Sequence, residues 1–112
     1  MSGHVYRFDF KPRADLREAR RLLEMAVLTA EILHGCEAVR LDGARRFDMG
    51  AGRCIIDGRG VVGRDLARLF TGFVTRLFGE RSFRVLRLEG NFHDAVAESD
   101  AEEIQKMMRG RR

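Results

Sequence analysis

Residues 53–79, RCIIDGRGVVGRDLARLFTGFVTRLFG, restrict the fold more than any other part of the chain. Cys54, Ile55 and Ile56 form a short apolar strand, and Asp57-Gly58-Arg59-Gly60 is the turn after it. Val62, Leu66, Leu69, Phe70, Phe73 and Leu77 then recur at three- and four-residue intervals, the spacing of one face of a helix. Gly79 supplies a left-handed stop. The rest of the chain has to be built around this strand–turn–helix unit.

Upstream, His4, Tyr6, Phe8 and Phe10 alternate with Val5, Arg7 and Asp9, which predicts a strand with an aromatic inner face. Lys11-Pro12-Arg13-Ala14 is a turn. Asp15 is an N-cap with Glu18 three residues on, a variant of the capping box. Leu16, Ala19, Leu22, Leu23, Ala26, Val27, Ala30 and Leu33 mark a long first helix that ends at His34-Gly35. Its second half is apolar on more than one side, because Met25, Leu28 and Ile32 are added. A monomer seldom leaves such a sector in water. Two covers suit it: a second copy across a two-fold axis, or the C-terminal helix through Ile104, Met107 and Met108.

After this helix, Val39 and Leu41 alternate in a strand over residues 37–41, and Asp42-Gly43 reads as a hairpin turn. Residues 45–49 form the return strand, with Cys54–Ile56 its continuation past a bulge or a separate strand. Residues 83–88 form the last strand, and residues 90–96 an irregular connection. Ser99 with Glu102 makes a capping box for a final helix, with Ala101, Ile104, Met107 and Met108 inward. Gly72 lies inside the second helix, where it costs about 1 kcal/mol against Ala; close backbone packing is the expected reason. The order β-α-β-β-α-β-α predicts one α+β domain over residues 1–112, an open-faced sandwich of four antiparallel strands with helices on one face. Ferredoxin-like and phosphocarrier-like folds share that outline. Residues 98–112 supply the last helix and a short basic tail.

Composition separates the functional classes. With 112 residues, 45% hydrophobic and 34% charged, the chain has the make-up of a folded domain rather than a disordered one. No apolar run approaches the roughly 20 residues that cross a bilayer. Residues 1–10 lack the pattern of a secretory leader. Cys36 and Cys54 form no CxxC pair, so two reduced thiols in a cytoplasmic protein are expected. The net charge of +4 and pI near 9.8 raise the question of a nucleic-acid partner. However, the basic residues are dispersed among acidic ones, which is the pattern of a solvated face rather than a footprint.

The segment GRCIIDGRGVVG, residues 52–63, resembles the strand-to-second-helix segment of degenerate members of the histidine-containing phosphocarrier (HPr) family. SDAEEIQKMM, residues 99–108, is similar to the acidic opening of that family's last helix. The two segments cover about a fifth of the chain. The resemblance implies an open-faced β-α-β-β-α-β-α sandwich. It does not carry over phosphotransfer. The place of the family's phosphorylated histidine, at the start of the first helix, reads Lys11-Pro12-Arg13-Ala14-Asp15, and the place of its regulatory serine reads Gly60.

Gly58-Arg59-Gly60-Val61-Val62-Gly63 also fits G-x-G-x-x-G between a strand and a helix. Free N–H groups at a helix start suit an anion, and Arg53, Arg59, Gly60, Gly63 and Arg64 are the anion-binding residues such a site would use. Only one βαβ unit follows, and Asp57 would repel a pyrophosphate, so a tight turn that lets helix and strand pack closely is the favoured reading. His34 and Cys36 lack a usual metal spacing and read as a helix-end His near a buried Cys. His93-Asp94 has no nucleophile beside it. Ser2-Gly3-His4 could chelate Cu(II) or Ni(II) if Met1 were removed. The expectation is a binding or regulatory domain that acts through protein contacts, with no catalytic centre, metal, cofactor or membrane attachment. A basic nucleic-acid-binding module using the open sheet face is the alternative.

Overall fold

A computed structural model of the protein describes residues 4–110. The elements run β1 (His4–Phe10), α1 (Leu16–His34), α2 (Cys36–Asp42), β2 (Arg45–Asp48), β3 (Arg53–Asp57), α3 (Val61–Phe78), a 3-10 turn (Glu80–Ser82), β4 (Phe83–Glu89) and α4 (Phe92–Arg109). The four strands form one antiparallel sheet in the order β2-β3-β1-β4. β1 and β2 therefore run parallel with β3 between them, and β3 and β4 run parallel with β1 between them. These are two interlocked split βαβ units, the ferredoxin-like form of the expected α+β outline.

The alternation in β1 sets the layers. Tyr6, Phe8 and Phe10 face α1 and α3 together with Phe47, Cys54, Ile56 and Phe83. Phe8 and Phe70 are fully buried and meet edge-on at 4.9 Å between ring centroids. Leu22, Ala26 and Ala30 of α1 and Leu66, Ala67 and Val74 of α3 complete this core. Asp15 caps α1 as its sequence indicates, its Oδ1 accepting from the N–H groups of Arg17 and Glu18. Gly35 and Gly79 end α1 and α3 at φ +90° and +87°.

Not every helix lies on one face. α4 covers the other side of the sheet, where Ala95, Phe92 and Val96 pack on Val5, Ile55 and Leu88. It begins at residue 92 rather than after Ser99. Asn91 is its cap and accepts from the Asp94 N–H, so residues 92–96, expected to be irregular, are its first turn. Ser99 is a buried residue inside the helix, and its hydroxyl serves a side chain of the sheet instead of the backbone. Ala101, Ile104, Met107 and Met108, expected inward, are exposed.

Residues 37–41 are helical, not a strand. Of the two residues expected inward only Val39 is buried; Leu41 is 76% exposed, so the sheet face that alternation would require does not exist. Ala38, Arg40 and Leu41 favour the helix. Gly43 has φ −105°, not the positive φ of a two-residue hairpin, and its N–H closes α2 on the Val39 carbonyl. The actual hairpin joins β2 to β3 through residues 49–52. There Asp48 Oδ1 accepts from the Ala51 N–H and Gly52 takes φ +64°. Gly72 has nothing within 4 Å of where a Cβ would stand, so close packing is not its reason. Leu33 and Leu77, placed inward by spacing, sit at helix ends and are exposed.

Candidate functional site

The turn after β3 is built by contact rather than by solvation. A Cβ on Gly63 would stand 1.7 Å from the Asp57 carbonyl oxygen, and one on Gly58 would stand 2.3 Å from the Tyr6 ring. These two glycines let α3 start directly against β3 and β1. Only Gly60, the N-cap at φ −113°, has open space. The Asp57 carboxylate is nearly buried. Its Oδ1 accepts from the Arg59 N–H at 3.1 Å, and its Oδ2 accepts from Arg59 Nη2 at 3.2 Å. The Arg59 charge is thus held by Asp57 inside the turn.

Arg53 and Arg64 are not brought to this turn. Arg64 is exposed on α3. Arg53 points to the opposite face, with its side chain 7% exposed. There its Nε donates to Asp9 Oδ1 at 2.9 Å and its Nη1 donates to Ser99 Oγ at 2.8 Å. Glu102 and Glu103 of α4 lie 3.5 and 3.9 Å from the same Nη1. Arg7 bridges Asp9 and Glu102, and Arg46 pairs with Asp100 at 3.0 Å. Of the five residues expected around one anion, Arg59, Gly60 and Gly63 build the turn, Arg53 joins a network that fastens α4 to the sheet, and Arg64 is exposed on α3.

That network shifts its members. Burial alone would raise the Asp9 pKa, but the hydrogen bonds and charges of Arg7 and Arg53 outweigh it and hold the carboxyl below its usual value. Arg7 is likewise held above its usual value: desolvation pulls it down, and Asp9 and Glu102 more than offset that. Burial pushes the Cys54 thiol up, and the Glu31 carboxylate raises that of Cys36, so neither is activated as a thiolate. Cys36 is exposed, not the buried residue expected beside His34. His34 Nε2 instead shares a 2.8 Å hydrogen bond with Asp65 Oδ2, tying α1 to α3. His93 is exposed at the start of α4. No group of three or more His, Cys, Asp or Glu able to hold a metal occurs among the described residues. Ser2 and Gly3 of the proposed chelating triplet lie outside them. Among the described residues no helix is long and apolar enough to cross a membrane.

Two other surfaces remain. Met25, Leu28 and Ile32 lie on the outer side of α1, exposed by 51, 59 and 77%. The C-terminal helix does not cover them: it occupies the far side of the sheet, and its own Ile104, Met107 and Met108 are exposed. At one end of the sheet, the β1–α1 connection and the end of α3 enclose an open cleft of about 790 Å³. Lys11, Pro12, Arg13, Leu77, Phe78 and Arg81 line it. In sequence these residues belong to a turn and a helix end about 65 positions apart. Only the pairing of Phe10 with Phe83, and the Lys11 N–H on the Ser82 carbonyl at 2.9 Å, brings them together.

No known protein family matches the chain, and no curated protein or solved structure does.

Proposed function

We propose that the protein is a non-catalytic, cytoplasmic binding domain that works through protein contacts, and that its first partner is a second copy of itself joined through α1. The observation that carries this is the bare apolar stripe of Met25, Leu28 and Ile32. With Arg21 it follows a four-three-four spacing, so the stripe is straight along the helix. It faces away from the buried Ala19, Leu22, Ala26 and Ala30.

Arg17, Glu18, Arg20, Arg21, Glu24 and Glu31 flank the stripe along α1. Two such helices related by a two-fold axis perpendicular to them meet antiparallel through the stripe. An isologous contact of this kind closes on itself and forms no filament. The charged residues then make the rim around an apolar centre.

The resemblance to the phosphocarrier family rests on residues 52–63 and 99–108 and comes without its phosphoacceptors. Residues 11–15 offer no histidine at the start of α1, so the domain would bind rather than carry phosphate. The nucleic-acid alternative needs an open sheet face, and α4 packs there over Val5 and Ile55 with its carboxylates on Arg7, Arg46 and Arg53. Light scattering of the intact chain and of Leu28→Glu tests the main reading. The expected outcome is a dimer that this substitution converts to a folded monomer. An intact chain that stays monomeric at high concentration defeats it.

A further inference from the structure

We propose that the cleft between the β1–α1 connection and the end of α3 is a binding site for a small organic anion, a phosphate or carboxylate joined to an apolar body. The lining has two parts. Lys11, Arg13 and Arg81 supply three positive charges, and among the described residues none of the three is in an ion pair. The carboxylate in the lining is Asp15, and its Oδ1 is occupied by the first N–H groups of α1. Three cations against one carboxylate leave a net charge of about two positive units along the cleft. An anion complements that charge, and two arginines offer paired N–H donors suited to carboxylate or phosphate oxygens.

The second part is apolar. Leu77 is 62% exposed although α3 places it at a core-facing spacing, and Phe78 and Pro12 lie beside it. A volume of about 790 Å³ is within the range of small-molecule sites and far larger than a bare phosphate fills. A lining with charged and apolar parts selects a ligand with both characters. The backbone that carries it is tied: the Lys11 N–H bonds the Ser82 carbonyl, and Ser82 Oγ donates to the Gly79 carbonyl at 2.7 Å. The two segments are therefore held together before a ligand arrives. This site stands apart from the α1 contact, so the failure of either leaves the other intact.

Phenyl phosphate is the probe, titrated into the intact chain and followed by amide chemical shifts, with inorganic phosphate as the comparison. Saturable shifts are expected at residues 11–15 and 77–82, with phenyl phosphate binding at about 1 mM or tighter and inorganic phosphate about tenfold weaker. The double variant Arg13→Ala/Arg81→Ala changes exposed side chains, so it should keep its far-UV spectrum and lose about tenfold in affinity. Leu77→Ala should bring phenyl phosphate down towards inorganic phosphate. The proposal is overturned by shifts that fail to saturate by about 10 mM, by shifts centred on residues 58–64, or by a double variant that binds as well as the parent. Equal binding of the two phosphates overturns the apolar half of the site.

Discussion

Gly63 and Gly72 lie nine residues apart in the same helix, and replacing each by alanine should move stability in opposite directions. At position 63 the new methyl would stand 1.7 Å from the Asp57 carbonyl oxygen and 2.9 Å from its carbon. Those are backbone atoms of a buried strand and cannot swing aside. Overpacking of this kind costs about 1–3 kcal/mol. Because α3 must lift off β3, with Val62 and Leu66 behind it, the upper end applies. The helical preference of alanine returns at most about 1 kcal/mol. The net loss is about 2 kcal/mol. At position 72 nothing lies within 4 Å, so only the helical gain of about 0.5–1 kcal/mol remains. Urea unfolding followed by circular dichroism reads both, and the midpoints of the two variants should straddle that of the parent with m unchanged. In thermal melts each kcal/mol is about 4 °C for a chain of this size. If Gly63→Ala is as stable as the parent, the glycine at the start of α3 is not there for contact. The G-x-G-x-x-G pattern would then need another explanation.

Phe70→Ala should cost about 3–5 kcal/mol in the same assay, since Phe70 is fully buried against Phe8 and Phe10. Phe73→Ala should cost less because that ring is only partly buried, and the reverse ranking would mean that α3 is rotated about its axis. Asp9 links stability to acid. Its folded pKa lies below the unfolded value of 3.8, so its contribution is complete above that pH and disappears as pH falls through the lower folded value. Asp9→Asn should therefore flatten the dependence of unfolding free energy on pH below 3.8, and an unchanged slope would assign the acid effect to other carboxylates. Incubation with a phosphotransferase-system donor should leave the chain unlabelled; acid-labile phosphate on His4, His34 or His93 would contradict the proposed function.

Most helices could be read from the sequence because their signals are local. Asp15 and Glu18 mark the start of α1, Gly35 and Gly79 mark two ends, and the inner residues of α3 repeat over four turns. The failures share a different cause. Val39 and Leu41 supply only two alternating positions, too few to distinguish a strand from two turns of helix. Ser99 and Glu102 spell a capping box, yet the buried Arg53 needs an acceptor at that point, and Asn91 caps the helix earlier. Tertiary demand outranked the local pattern. The glycine turn was legible as contact, but the basic residues around it were not assignable. Whether Arg53 points towards α3 or α4 depends on strand register, which the sequence does not display. The cleft was invisible for the same reason. Lys11 and Arg81 become neighbours only when β1 pairs with β4.

The place of β1 in the sheet has a consequence for how the chain assembles. β1 is an inner strand, flanked on both sides by strands that follow it much later in the sequence. One neighbour is complete only at Asp57 and the other only at Glu89, so its pairings with β4 join residues about 80 positions apart. Contacts of that separation close large loops and slow folding. During synthesis the aromatic face of Tyr6, Phe8 and Phe10 waits with an unpaired edge beside it until residues 83–89 are made. A chain stopped before Phe83 can pair β1 on only one side, leaving the other edge free to recruit a strand from another molecule.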